Sequence, residues 1–461
     1  MKITTKIKDL KTGSKVTIVG AGVSGRALAL LAARSGFSVF VTDRIGISQE
    51  TQEEFKKDGI KYEEDGHTEK ALETDVLVLS SGIPPKSPIV KDAINRGIPI
   101  VGELDFVFPY IQSKIIGVTG TNGKTTTTSL VSHLLKKGGF KVEAVGNIGN
   151  ALADYAFSDY EWLVVEVSSF QLYWSEQASF DISVITNIVP DHLDWHGSYE
   201  EYFMAKTKIF KLTNDNGIGI CQASDMDKIK EMLRTRLRMI PFVGKGINCT
   251  GDGIFFEDKS CMLCDNSNKI KLFNLKKVNL IGTHNLENAS MSAAVGYYAG
   301  LSPHLIESGI ESFKALPHRC EEVVQFSGVR FVNDSKGTNV AATVAALNSI
   351  EGKIIIILGG KGKGEEYTAL AEAVKRRTEA AVLIGEEKFK LAAALMQKGY
   401  SNFYVVDTME EAVKKAVSLA SPGVTILLSP ACTSWDMYKS YKARGEHFRK
   451  IVEEITGQQK G

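Results

Sequence analysis

The sequence predicts an α/β protein of three domains built on parallel sheets, and three observations carry that reading. Short β-branched strands alternate with helical stretches along the whole chain, and most of these strands are apolar throughout rather than on alternate residues. Two glycine-rich turns, at 20–25 and 120–123, each follow such a strand and open a helix. The length of 461 residues exceeds what one hydrophobic core organises.

The strands fall into three groups. The first comprises 15–20, 38–43, 75–80 and 98–103; the second 114–120, 161–167, 181–188 and 217–223. The third comprises 329–334, 353–360, 380–385, 402–407 and 425–430, with helical segments such as 410–420 between them. Residues 245–280 break this rhythm and read as β-hairpins inserted in the second unit. The expected domains are 1–104, 105–315 and 316–461.

A net charge of +1, with 24% charged and 43% hydrophobic residues, gives no field for nucleic acid or an anionic membrane. No apolar run approaches the roughly 18 residues of a membrane span. The opening "MKITTKIKDL" lacks the apolar centre of a signal peptide. Six cysteines do not form a disulfide framework in a chain this long, so a reduced, cytoplasmic protein is expected. Cys261 and Cys264 form one C-x-x-C with only Cys249 nearby, and read as ordinary thiols in a surface hairpin rather than a zinc site.

"GTNGKTT" supplies what a triphosphate needs. Gly120 and Gly123 let backbone N–H groups turn inward around Thr121 and Asn122, and the following helix offers its positive end. Lys124 can reach the terminal phosphates, and Thr125, followed by Thr126, can ligate Mg²⁺. The usual phosphate loop has glycine where Val118 stands. Glu166 ends an apolar strand, where a carboxylate costs several kcal/mol unless paired or on a metal. Asp191, His192 and Asp194 follow another strand, at the carboxyl ends where open sheets hold ligands.

The first turn carries Gly20, Gly22 and Gly25, with Asp43 ending the next strand, which is the dinucleotide pattern. Residues 16–43 alone suggest an NAD-dependent dehydrogenase. A hydride transferase has no use for the second loop, and a diphosphate on a helix N-terminus equally describes a UDP-sugar.

Taken in order, "GTNGKTTT", "GNIG" (146–149), "GTHNLENASMSAA" (282–294), "LPHRCE" (316–321) and "NDSKGTN" (333–339) resemble the Mur ligases of bacterial cell-wall synthesis. "EVSSFQL" (166–172) and "LSPACTSWDMYKSYKARGEHF" (428–448) are similar to the branch that adds D-glutamate. The resemblance covers essentially the whole chain. It implies a Rossmann-like first domain, a P-loop ATPase-like centre and a Rossmann-like third domain. It also implies an ATP-dependent ligase that joins D-glutamate to UDP-N-acetylmuramoyl-L-alanine through an acyl phosphate, with two Mg²⁺ ions.

By the same resemblance Thr125, Glu166, His192 and Lys206 would hold metal, Lys206 as a CO₂-derived carbamate, with Lys208 a competing position. Asn285, Asn288, His318, Arg319 and Asp334 would hold ATP together with the loop. Gly22, Val23, Ser24, Gly25, Asp43, Ser81, Gly82, Asn147 and His192 would hold the UDP substrate. Lys336, Thr338, Lys363, Ser434 and Tyr441 would hold D-glutamate, with Lys363 chosen over Lys361. Lys124, Glu166, His192, Lys206 and Lys336 make up the expected catalytic set. The expected partners are these small molecules, with no nucleic acid and no membrane span, and a monomer is expected.

Overall fold

The structure is a computed structural model that describes residues 7–234, 236–245 and 251–457. Its strands form three sheets of five, nine and six. The chain divides into two compact units, Met1–Lys277 with Asn288–Ile310, and Val278–Glu287 with Glu311–Gly461.

The first sheet contains β1 (Lys15–Val19), β2 (Ser38–Thr42), β3 (Lys61–Glu63), β4 (Val76–Leu79) and β5 (Ile100–Gly102), in the order β3-β2-β1-β4-β5. All its pairs are parallel. The chain leaves β1 toward β2 on one side and returns to β4 on the other, so a crevice opens at the carboxyl end of β1. β3 is short, with no fully buried residue, and gave no apolar signal in the sequence.

The second sheet holds β6 (Lys114–Thr119), β7 (Val142–Gly146), β8 (Trp162–Glu166), β9 (Phe180–Ile185), β10 (Thr213–Gln222), β11 (Arg238–Lys245), β12 (Gly253–Glu257), β13 (Ser260–Asp265) and β14 (Asn268–Asn274). Their order is β14-β13-β12-β11-β10-β9-β6-β8-β7. β6 is central, flanked by β8 and β9 in parallel. The hairpin strands expected in 245–280 continue this sheet: β12 joins β11 in parallel, and β13 and β14 add on antiparallel.

The surface-thiol expectation for the C-x-x-C fails here. Cys261 and Cys264 are both buried in β13, at 0% and 1% exposure. Burial pushes the Cys261 thiol up to about 12, and Cys264 is disulfide-bonded. Cys249 lies outside the described residues. Three residues apart on a strand they lie on opposite faces, so β13 is covered on both, and a hairpin read in isolation hides that cover.

The third sheet orders β15 (Glu321–Phe326), β16 (Val329–Asn333), β17 (Lys353–Gly359), β18 (Thr378–Ile384), β19 (Phe403–Val405) and β20 (Val424–Leu428) as β15-β16-β20-β17-β18-β19. Only the β15–β16 hairpin is antiparallel. β17 shows why its sequence reads "KIIIILG". Ile354 and Ile356 enter the core on one face, and Ile355 and Ile357 enter a separate core on the other. With helices on both sides, no position can be polar, and each fully buried Ile contributes about 1.5–3 kcal/mol.

Candidate active site

The first glycine turn is required by close packing rather than by flexibility. Gly20 sits at φ +92°, and a Cβ there would lie 2.3 Å from Ser80 Oγ. A Cβ on Gly25 would lie 1.8 Å from the Gly20 carbonyl oxygen. Helix Val23–Arg34 begins at Gly22 with no side-chain cap, so its first N–H groups point into the crevice. Asp43 accepts from Ala21 N at 2.6 Å and from Ile45 N at 3.0 Å, bracing the turn. Ser24 and Ser81 stand 3.2 Å apart through their hydroxyls, beside Gly82. A cleft of about 450 Å³ lies here, lined by Gly22, Val23, Arg26, Asp43 and Ile45 among others. Gly22, Val23, Ser24, Gly25, Asp43, Ser81 and Gly82 of the sequence-predicted UDP set are thus brought together, while Asn147 and His192 stand on the segments that follow β7 and β9.

The phosphate loop joins β6 to helix Lys124–Lys137. Its N-cap, Gly123, is left-handed at φ +83°, and a Cβ there would lie 2.4 Å from Asn288 Oδ1. The loop is held from below by the segment after β9. Thr121 N donates to Asn187 O at 2.8 Å, and Asn122 N donates to Asn187 Oδ1 at 3.0 Å. Thr121 Oγ1 meets Tyr202 OH at 2.9 Å. Lys124 folds back, donating to the Gly120 and Thr121 carbonyls at 2.9 and 2.8 Å.

Glu166 lies opposite both Val118 and Gly146 in register, so β8 delivers it to the loop's flank. It is 2% exposed. Oε1 accepts from Asn147 Nδ2 at 3.0 Å, while Oε2 is buried without a hydrogen-bond partner. That orphan oxygen is a place for a cation, since native proteins rarely leave such an atom unpaired.

Lys206 is equally buried, on helix Tyr199–Lys211, and donates to Gly120 O at 2.7 Å while lying 4.8 Å from the Tyr202 ring centroid. Burial first, and the Lys124 charge second, push its pKa well below the usual lysine range; Asp191 and Glu166 oppose this. Lys208 instead pairs with Glu176 at 2.6 Å. His192 occupies left-handed backbone at φ +53°, with its ring 3.7 Å from Asp191 and edge-on to Phe170. Trp195 Nε1 donates to Gly82 O at 3.1 Å, tying the His192 loop to the first sheet's crevice.

In the second unit, the loops after β16, β20 and β17 lie side by side. Asp334 accepts from Ser429 Oγ at 2.7 Å and from Cys320 N at 3.2 Å, and burial raises its carboxyl to about 6. His318, left-handed at φ +63°, meets Asn333 Nδ2 at 3.0 Å and Glu446 at 3.3 Å. Lys336 lies 4.0 Å over the Tyr441 ring. Thr338 N donates to Lys336 O, and Ser434 is buried beside Thr433, whose backbone pairs with Lys361. Lys363 is exposed and Arg319 is half-buried. Asn285 and Asn288 lie three residues apart on one helix, Thr283–Tyr298, and so neighbour each other on its surface. Asn288 belongs to the first unit, whereas Asn285 belongs to the second and donates to Ile281 O at 2.8 Å.

Sequence reasoning missed Arg444. It is 1% exposed and donates to Ser335 Oγ and to the carbonyls of Ser335, Cys432 and Thr433 at 2.9–3.1 Å. One buried guanidinium therefore shapes both the 334–338 and 430–434 loops; an arginine inside a charged helix gave no sign of this. Among the described residues, no cluster of three or more His, Cys, Asp or Glu side chains could hold a metal. None of the described helices is long and apolar enough to cross a membrane.

Three sequence profiles match in chain order: the MurD N-terminal domain over 15–89, the Mur ligase middle domain over 118–296, and the Mur ligase glutamate ligase domain over 318–432. The dinucleotide fingerprint lies inside the first of these, which removes the basis of the dehydrogenase alternative. A UDP-N-acetylmuramoylalanine–D-glutamate ligase of Thermoanaerobacter pseudethanolicus is 36% identical over 96% of this chain and 99% of its own. Among solved structures, a pseudomurein peptide ligase type C of Methanothermus fervidus matches with TM-score 0.59 at 21% identity, covering 96% and 100% of the two chains. The MurF ligase of Thermotoga maritima in complex with ADP matches with TM-score 0.55 at 18% identity, covering 83% and 96%. These two share the fold. With 96% of its length matched at 36% identity to a D-glutamate ligase and three Mur ligase domains following one another along it, the chain belongs to the Mur ligase family.

Proposed function

We infer that the chain is an ATP-dependent ligase that adds D-glutamate to UDP-N-acetylmuramoyl-L-alanine, a step of peptidoglycan precursor synthesis, with domains dividing near residues 104 and 315. The observation that carries the chemistry is the meeting of Lys124 and Lys206 on the Gly120 carbonyl, close to the buried Glu166. A carboxylate is a poor electrophile, and its phosphorylation supplies a leaving group for attack by the D-glutamate amine. Transfer between anions is achieved mainly by positioning and charge.

The loop N–H groups, Thr121, Asn122 and Thr126 would seat the ATP phosphates, and Lys124 would swing from its carbonyl contacts to the transferred group. Asn288, Asn285, His318, Arg319 and Asp334 would hold the rest of the nucleotide. The orphaned Glu166 oxygen fits a divalent cation, so Thr125, Glu166, His192 and a carbamylated Lys206 would hold two Mg²⁺ ions. When bound, these ions would neutralise phosphate charge. A low lysine pKa favours the neutral amine that carbamate formation requires, which supports Lys206 over Lys208. Asn147 would touch the alanyl end of the UDP substrate. Lys336, Thr338, Lys363, Ser434 and Tyr441 would surround the two D-glutamate carboxylates, leaving the amine free.

The test is phosphate release from ATP and Mg²⁺ with UDP-N-acetylmuramoyl-L-alanine, comparing D-glutamate, L-glutamate, lysine and no amino acid. Release with D-glutamate only, abolished in Lys124→Ala, is expected. Release with lysine instead would move the chain to another amino-acid specificity within the family.

A further inference from the structure

Beneath the UDP-substrate crevice lies a carboxyl group with no role in the reaction described above. Glu103 follows β5 and is 2% exposed. Ser81 donates its hydroxyl to Glu103 Oε2. Ser24 Oγ stands 3.2 Å from Ser81 Oγ, and the Ser81, Gln171 and Ser24 groups around the carboxyl offset the burial that raises its pKa. Gln171 in turn accepts from Ser168 N at 2.8 Å and Ser168 Oγ at 2.9 Å, two residues past Glu166. A single buried acid therefore holds, through the Ser81 hydroxyl, the loop after β4 against the first turn of helix Val23–Arg34.

A serine has one hydroxyl hydrogen. When the carboxylate draws the Ser81 hydrogen inward, the outward face of that oxygen can only accept. Anionic phosphate oxygens then have to be met by backbone N–H groups of the glycine turn, while the serine pair suits hydroxyl groups of a sugar. Burying an acid costs free energy that an apolar side chain would not.

We propose that Glu103 is a positioning residue for the UDP-linked substrate, orienting the Ser24 and Ser81 hydroxyls at the floor of the crevice. This rests on the functional reading above. Glu103 touches no reacting atom; it acts through the two serines.

The experiment compares the wild type, Glu103→Gln and Glu103→Ala by calorimetric titration with UDP-N-acetylmuramoyl-L-alanine and, separately, with ATP–Mg²⁺. Glu103→Gln keeps the volume but turns an N–H₂ toward one of the donors, so it carries the test if Glu103→Ala does not fold. The UDP substrate should bind roughly tenfold more weakly in either variant, the value of one or two hydrogen bonds, while ATP binds as in the wild type. Steady-state kinetics should show the loss in KM for the UDP substrate rather than in KM for ATP. An equal fall for both ligands would reveal a merely structural acid, and unchanged binding of both in Glu103→Gln would overturn the proposal. Failure of the wild type itself to bind the UDP substrate would instead count against the functional reading.

Discussion

Lys206 and Lys124 donate to the same acceptor: the Gly120 carbonyl oxygen takes Lys206 Nζ at 2.7 Å and Lys124 Nζ at 2.9 Å. Two ammonium groups on one carbonyl repel strongly where water is excluded, and the cheaper state has one of them neutral. Lys206 is the more buried of the two and is the one pushed well down.

Lys206→Ala should therefore remove catalysis rather than folding. Phosphate release is expected to fall by about 100- to 1,000-fold, the usual loss of one preorganised electrostatic group. A short carboxylate such as acetate should restore part of it by supplying the missing oxygens. Isotope-labelled bicarbonate should label the wild type at this lysine; absence of label and of rescue would exclude the carbamate.

Glu166→Gln should separate activity from stability. The buried, unpartnered Oε2 is a charged oxygen held in an apolar strand at a cost, and the amide keeps the Asn147 contact at lower charge. The unfolding midpoint should hold or rise while phosphate release falls by about 100-fold or more. A marked drop in the midpoint would mean that Glu166 serves the fold.

Asp334 predicts a pH dependence of stability. Its folded pKa of about 6 lies above the 3.8 of a free aspartate, so between those values the native state binds more protons than the unfolded one. Its contribution is fully present below about pH 4 and is lost as pH rises through about 6, worth about 3 kcal/mol in all. Urea unfolding of the wild type and Asp334→Asn at pH 4 and pH 7 checks this. The stability difference, wild type minus variant, should fall across that range.

Arg444→Lys should cost about 3 kcal/mol, because an ammonium cannot meet four oxygens in the planar fork that the guanidinium spans. In the surviving folded fraction, KM for D-glutamate should rise while KM for the UDP substrate stays put. Equal changes in both would show that the loops at 334–338 and 430–434 do not govern amino-acid binding.

Much of the fold was legible because its signals are short-range. Uniformly apolar runs such as 353–360 can only be doubly covered strands, and their burial on both faces agrees. The strands that escaped notice, such as β7, with Glu143 half-buried inside it, and β3, lack that apolar continuity. The burial of β13 escaped for a related reason, since only the segments packed against its two faces decide which of its side chains are covered.

The chain by itself determined the two glycine turns, the phosphate loop and the family likeness, because a turn that needs φ > 0 or a bare backbone is written within five or six residues. Tertiary structure alone decided which groups are driven toward their neutral form and which loops are locked. Gly120 and Lys206 are 86 residues apart, Ser81 and Glu103 are 22, and Ser335 and Arg444 are 109. Desolvation and hydrogen-bond geometry depend on such distant segments arriving at one place, and no local pattern records their arrival.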